Sequence, residues 1–391
     1  MLQSVLSLIP NFAMTCFLLP VSLCKRIQYV LTRFWWDQKL GETKICWVSW
    51  EKLTQPKSLG GLGFYDIQAF NQAFLAKLAW RLITAPDCLF SRIILGKYCH
   101  KTSFLKVETN TSISHGWRGI LKGRDLLLQH LGKVIGNGET TSVWNDSWIQ
   151  PKKNLKPFGP VFEQDKDLMV ADILTRETKE WNVERINRLL PELASFIFSI
   201  KPSVLENRDS FIWPLQKSGV YSVKSGYFSL QEAQITRNKL LFENRLSTTT
   251  EVFHLSIRAL KEWEQAQIAN PTLSGPRLKP PLQLSPLPDS TVFCNTDAAW
   301  KSDSAGIAWI FTDSSSTVLQ QKALSLNHVS SPCMAEAIAI RGALLNAASL
   351  HFTNIYLRSD SQGLIKAINQ KVWTIDLYGI LSDIDYLAFS L

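Results

Sequence analysis

Six prolines fall between residues 271 and 288, at positions 271, 276, 280, 281, 286 and 288. Proline fixes φ and lacks a backbone N–H, so neither a helix interior nor a central strand passes through such a stretch. Residues 270–290 are therefore expected to be an extended linker. The 391-residue chain must then fold on either side of it. Hydrophobic residues make up 46% of the sequence, enough for ordinary folded cores, which excludes a wholly disordered chain.

The two sides differ in charge. Residues 291–391 hold 6 Lys/Arg against 8 Asp/Glu, a net of −2, and since the whole chain carries +9 the remainder carries +11. A basic body points to a polyanionic partner. Lys25, Arg26, Lys39, Lys52, Lys57 and Arg81 are candidate phosphate contacts, although each is also an ordinary solvated surface residue. The 7 cysteines are odd in number and scattered, with no Cys-x-x-Cys pair, which argues against a disulfide scaffold and a zinc knuckle alike. Free cysteines fit a reducing compartment, and the protein is expected to be intracellular, nuclear or cytoplasmic, and not secreted.

Met1–Cys24 holds no charged residue. No basic segment precedes this apolar run, and Pro10 and Pro20 interrupt it, so it is read as two short buried helices rather than a signal peptide or membrane anchor. Residues 1–150 read as mostly helical. Ile67, Phe70, Phe74, Leu75, Leu78 and Leu82 recur at helical spacing after the turn Gly60-Gly61-Leu62-Gly63. Trp35, Trp36, Trp47, Trp50 and Trp80 crowd this region and are expected in its core. Gly136-Asn137-Gly138 followed by Ser142–Trp148 suggests a short hairpin with packed tryptophans. In the mixed helical region 151–269, residues 165–200 look helical and amphipathic. Phe211–Tyr221 contains a short strand, Val223–Glu232 a helix, and 236–269 a charged helix-like stretch.

Beyond the linker the pattern is α/β. Strands are predicted over Thr291–Thr296, Gly306–Phe311, Val318–Leu326 and Asn354–Arg358. Ser331-Pro332 is a good helix start, Ser as N-cap and Pro at the first helical position, with the helix running to about Ser349. Ser361 is placed to cap a helix through Ile368, and a last helix is predicted over Tyr378–Phe389. Three carboxylates occupy special places: Asp297 at the end of the first strand, Glu336 in the second turn of the first helix, and Asp360 just past the fourth strand. If the first and fourth strands are neighbours, the two aspartates lie side by side and the helix brings Glu336 over both. Clustered oxygen ligands suit a hard cation such as Mg²⁺, and a pair of such ions can activate water in phosphodiester hydrolysis. The same residues also have plainer roles, since Asp after a strand is a common turn former and Glu in an early helical turn complements the dipole.

Asn295-Thr296-Asp297-Ala298-Ala299-Trp300-Lys301, Ala335-Glu336-Ala337 and Ser359-Asp360-Ser361-Gln362 resemble the plant RNase H-like domain of proteins derived from non-LTR (LINE-type) retrotransposons. The earlier segments Gln3-Ser4-Val5-Leu6-Ser7-Leu8-Ile9-Pro10, Arg33-Phe34-Trp35-Trp36-Asp37, Ala79-Trp80-Arg81-Leu82, Ile135-Gly136-Asn137-Gly138 and Val143-Trp144-Asn145-Asp146-Ser147-Trp148 resemble the tail of the reverse transcriptase from the same source.

The resemblance implies an α/β RNase H-like domain over 291–391, a mixed sheet with helices, behind a mostly helical α+β body. Residues 1–150 would be the reverse-transcriptase tail without its polymerase palm, and 151–269 a connecting region. The family's Cys/His knuckle reads as deleted, since Ser218-Gly219-Val220-Tyr221-Ser222-Val223-Lys224 leads almost directly into Asn238-Lys239-Leu240-Leu241-Phe242-Glu243-Asn244. The domain also reads as incomplete, a further strand, Asp ligand and helix being expected near residue 391, with Asp383 and Asp385 taken as surface charges. By resemblance, Asp297, Glu336 and Asp360 would bind Mg²⁺, with Mn²⁺ as an alternative, and cleave the RNA of an RNA–DNA hybrid. The other reading is a catalytically dead remnant that only binds RNA–DNA hybrid or RNA. No membrane partner is expected.

Overall fold

The computed structural model describes residues 9–37, 44–100, 102–108, 114–151, 156–157, 163–175, 178–243, 291–371 and 374–390. Lys39 and the proline-rich linker lie outside them, as does most of the stretch 236–269. In chain order the elements are α1 (Asn11–Cys16), α2 (Val21–Trp36), α3 (Trp50–Leu53), α4 (Ile67–Thr84), α5 (Leu89–Tyr98), α6 (His115–Leu128), β1 (Gly132–Val134), α7 (Val183–Leu189), α8 (Ala194–Ser199), β2 (Ser210–Ile212), α9 (Val223–Glu243), β3 (Val292–Lys301), β4 (Ser304–Thr312), β5 (Val318–Asn327), α10 (Pro332–Ser349), β6 (Ile355–Arg358), α11 (Gln362–Gln370) and α12 (Tyr378–Ser390). They fall into two compact units, Met1–Gln129 with Tyr221–Pro280, and His130–Val220 with Pro281–Leu391. The breaks of this division fall at 129/130, at 220/221 and at 280/281, the last inside the proline-rich stretch 270–290.

The first unit is built on α4. Asp66 caps this helix, its carboxylate accepting from the Ala69 amide at 2.8 Å. Of the apolar positions expected at helical spacing, Ile67, Phe70, Leu75 and Leu82 are buried and Phe74 and Leu78 half-buried, with Ala73, Ala76 and Ala79 fully buried beside them. Gly123 of α6 is required here, because a Cβ would lie 2.4 Å from the Ala76 nitrogen and no side chain fits between the two helices. The buried Asn71 side chain donates to the carbonyls of Met14 and Phe17 and accepts from the Leu19 amide, which holds the turn between α1 and α2 against α4. Pro10 and Pro20 stand just before these helices, so they begin helices rather than break them.

Burial in this unit departs from expectation in two ways. Of residues 9–24 only Met14 and Cys24 are buried, while Phe12 is 83% exposed. Among the tryptophans Trp80 is core, but Trp47 is 79% and Trp35 46% exposed. The α2 residues that reach the core are Cys24 and Leu31, seven positions apart on one narrow stripe, and Trp35 instead lies edge-on to Phe64. Lys25, Arg26, Lys52, Lys57 and Arg81 are all exposed.

In the second unit the predicted hairpin is replaced by a long-range pairing. β1 precedes the Gly136 turn and pairs antiparallel with β2, Gly132 opposite Ile212. The 136–141 loop is held by one carboxylate. Asp209 accepts from the amides of Gly136, Gly138 and Thr140 and from the hydroxyls of Thr140 and Thr141. Trp148 is buried and stacks on Trp181 at 5.8 Å, so the packed tryptophan survives without the hairpin. Residues 165–200 are not a continuous amphipathic helix. Short turns of helix alternate with extended chain, and Pro191 closes α7. The apolar positions do converge, since Leu168, Val170, Ile173, Trp181, Ile186 and Ile197 share one core.

The main sheet has the order β5-β4-β3-β6. β3, β4 and β5 are antiparallel neighbours, and β6 lies parallel to β3. It is a mixed sheet with helices, as expected. Ile307, Trp309, Phe311 and Cys294 point to one face, where α10 covers them with Ala337, Ile340, Ala343 and Leu344. Ser331 caps α10 through the Met334 amide and Pro332 takes the first helical position. Gly342 lets the Trp309 ring lie against the helix, since a Cβ there would be 2.8 Å from it.

Asp383 on α12 is not the expected surface charge but fully buried. It pairs with Arg341 at 3.1 Å. It also accepts from the Ser203 hydroxyl, the Val204 amide at 3.0 Å and the Asn207 side-chain amide at 3.1 Å. Asp385 is the more exposed of the two and pairs with Lys371 at 3.0 Å. The 203–207 segment is thereby tied to α10 and α12, which is why 130–220 folds with the C-terminal sheet.

Candidate active site

Asp297 lies within β3, not at its end. The strand continues four residues further because Ser302 and Asp303, both with positive φ (45° and 74°), turn it tightly into β4. The parallel register of β3 and β6 ends at Asn295 opposite Arg358. Two residues on from each partner are Asp297 and Asp360, so the pairing itself sets the two carboxylates side by side. Glu336 reaches them from the second turn of α10, which crosses the sheet beneath β3. Among the described residues, carboxylate oxygens of Asp297, Glu336 and Asp360 lie within 4.8 Å of one another.

The three differ in environment. Asp297 and Asp360 are exposed, whereas Glu336 is only 9% exposed. The Asp297 carboxylate accepts from the Ala298 amide at 2.9 Å. Burial pushes the Glu336 carboxyl above its ordinary value, and the charges of Asp360 and Asp297 push the same way. Hydrogen bonds from the Ala298 amide and the Ser359 hydroxyl oppose the shift. Neither Ala298 nor Ser359 was identifiable as a partner from sequence, because their roles depend on which strands pair. All three predicted site residues are brought together.

A cluster of three carboxylates, with Glu336 pressed toward protonation, fits a hard divalent cation. The donors are all oxygen, and two of the three are open to solvent. Asp297, Glu336 and Asp360 would hold such an ion. A consequence can be measured without substrate. A carboxyl whose folded pKa is raised above its unfolded value destabilises the fold once ionised, so stability contributed at low pH is lost as pH rises through the raised value. Glu336→Gln is therefore expected to raise the melting temperature of the metal-free protein near neutral pH by a few degrees and to flatten its decline above pH 4.5. Millimolar Mg²⁺ should raise the melting temperature of the wild type and not of the variant. A variant that melts below wild type at pH 7 would contradict this account.

A reverse transcriptase-like family model matches residues 295–384, a span that includes all three carboxylates. An uncharacterised mitochondrial protein of Arabidopsis thaliana is 42% identical over 152 residues, 39% of this chain and 99% of that protein. A putative ribonuclease H protein of the same plant is 28% identical over 244 residues, 60% of this chain. The chain spans about 39% of the length of that second relative. Among solved structures, RNase H1 from the archaeon Halobacterium salinarum matches at 23% identity over 26% of this chain and 79% of its own, with a TM-score of 0.25. The foamy viral protease–reverse transcriptase in complex with RNA/DNA hybrid matches at 15% identity over 80% of this chain and 46% of its own, with a TM-score of 0.23. Structural matches of that size leave the fold to be read from the sheet itself. The sequence relatives, with the sheet and its carboxylates, place this chain in the plant family of retroelement-derived reverse transcriptase and RNase H-like proteins.

Proposed function

We propose that the C-terminal sheet hydrolyses the RNA strand of an RNA–DNA hybrid, using a divalent cation, Mg²⁺ or Mn²⁺, at Asp297, Glu336 and Asp360. The observation that carries this reading is the convergence of the three carboxylates within 4.8 Å from three separate elements. When bound, a hard cation there supplies the positive charge that a phosphodiester needs to approach and react beside three carboxylates. The protein's own part is positioning. β3 and β6 fix the two aspartates through backbone pairing, α10 fixes Glu336 through its packed face, and Ser359 and the Ala298 amide orient the Glu336 carboxylate. The name of the putative ribonuclease H relative supports the same reading. The parent element is proposed to be of the non-LTR, LINE type.

A second reading is nucleic-acid binding without cleavage. It is favoured by the net +11 of residues 1–290 and by the exposure of Lys25, Arg26, Lys52, Lys57 and Arg81. Such binding holds phosphates without reading sequence and weakens as salt rises. The deciding experiment incubates purified protein with a labelled RNA–DNA hybrid in Mg²⁺ and in Mn²⁺, beside Asp297→Asn. Cleavage by wild type alone supports hydrolysis. A folded wild type that binds the hybrid but leaves it intact supports the second reading.

A further inference from the structure

α10 brings Glu336 to the two aspartates, and much of its buried surface is alanine, with Ala337, Ala343 and Ala347 beside Ile340 and Leu344. Short side chains interlock little and apolar contact has no direction, so such a face leaves the helix free to slide or rotate by fractions of an ångström. Directional contacts remove that freedom. Toward the end of α10, Asn346 accepts from the Trp309 indole at 3.0 Å. Nearer Glu336 the contact is Arg341, five residues on, which is about 7.5 Å along the helix and about 140° around it. One guanidinium nitrogen of Arg341 donates to the Pro202 carbonyl at 3.2 Å and to the Asp383 carboxylate at 3.1 Å. Pro202 begins the same stretch that Asp383 holds through the Ser203 hydroxyl, the Val204 amide and the Asn207 side chain. That stretch crosses α12 backbone to backbone, since a Cβ at Gly379 would run into the Lys201 carbonyl. Leu205 packs against the core that α10 and α12 share. The Lys201 ammonium donates to the Asn327 carbonyl at 3.4 Å, four residues before the Ser331 cap of α10.

We infer that the segment 201–207 braces the cation site from outside the sheet, with Arg341 as the positioning residue that passes the constraint to Glu336. The inference rests on the reading of Asp297, Glu336 and Asp360 as ligands of a divalent cation. Such an ion takes its oxygens at about 2.0–2.6 Å, so a small shift of α10 leaves Glu336 out of reach of an ion held by the two aspartates. Asp297 and Asp360 are placed by the backbone pairing of β3 with β6. Glu336 comes on a helix whose backbone pairs with itself, so its place depends on side chains. Arg341 is the side chain that ties this helix to a segment more than a hundred residues earlier in the chain. The connecting region thus contributes to the site without touching it, as outer partners of metal ligands do.

The test is Mn²⁺ binding to the full-length protein, followed by the electron paramagnetic resonance signal of the free ion. Wild type is compared with Arg341→Met, Arg341→Lys, Asp297→Asn and Ile197→Val, and circular dichroism of each reports folding. Ile197 is fully buried in the separate core with Trp181 and Ile186, so Ile197→Val lowers stability without touching α10. Arg341→Met is expected to weaken Mn²⁺ binding about tenfold with the fold intact. Arg341→Lys should fall between, since it keeps the charge and loses the planar fork. Ile197→Val should bind as wild type does, and Asp297→Asn should bind weakly. Wild-type affinity in folded Arg341→Met, or an equal loss in Ile197→Val, would overturn the brace and leave the cation site standing. If Arg341→Met does not fold, Arg341→Lys decides, and wild-type affinity there overturns the brace. A wild type that binds no Mn²⁺, or binding that Asp297→Asn leaves unchanged, removes the cation site and the brace with it.

Discussion

Asp383→Ala is expected to lower stability of the second unit by about 3–5 kcal/mol, the cost of breaking a buried ion pair from one side. The effect is large because the aspartate does more than pair with Arg341. Its removal strands a guanidinium whose side chain is only 12% exposed. It also leaves the Ser203 hydroxyl, the Val204 amide and the Asn207 side-chain amide without their acceptor. Arg341→Met should cost less, since the Asp383 carboxylate keeps those three donors. The two units need not unfold together, so amide hydrogen exchange at 203–207 and along α12 is a better reading than a single melting temperature. A loss below about 1 kcal/mol for Asp383→Ala would mean that water replaces the network at little cost.

Asp297→Asn is expected to reduce hybrid cleavage by at least about 10²-fold, comparable with removing one preorganised electrostatic contact from a transition state. Among the three carboxylates, Asp297 sits within the paired part of the sheet, in the row of Ala308 and Ala323. The substitution keeps size and strand pairing, so the loss should come with no loss of stability. It should even relieve the repulsion that pushes Glu336 upward. Mg²⁺-dependent stabilisation should weaken in parallel with activity, which separates a lost ligand from a misfolded site. Cleavage that survives Asp297→Asn at the wild-type rate would remove this cluster from the chemistry.

Much of the candidate site was legible because its parts are local. The segment Gly306–Phe311 marks β4, the Ser331-Pro332 start marks α10, and the positions of Asp297, Glu336 and Asp360 relative to the predicted elements follow from reading along the chain. Backbone sterics and side-chain period act between near neighbours, so a short window contains them. The conditional step, that the first and fourth strands lie together, came from the tertiary structure through the parallel register of β3 and β6.

The misread elements are those whose partner is far away in sequence. The Gly136 loop looked like a hairpin because its own residues have turn chemistry, yet its strand partner is Ser210–Ile212 and its anchor is Asp209. Asp383 looked like a surface charge on the last helix, and its hydroxyl donor lies 180 residues away at Ser203. The exposed Trp35 and Trp47 show the converse, since an apolar side chain states a tendency to be covered and not what covers it. What the sequence determined by itself was the strands and helices of the C-terminal sheet and the places of the three carboxylates along them. The tertiary structure alone decided which segments pair and which charges are buried, because packing between distant segments depends on shapes and donors that no local window contains.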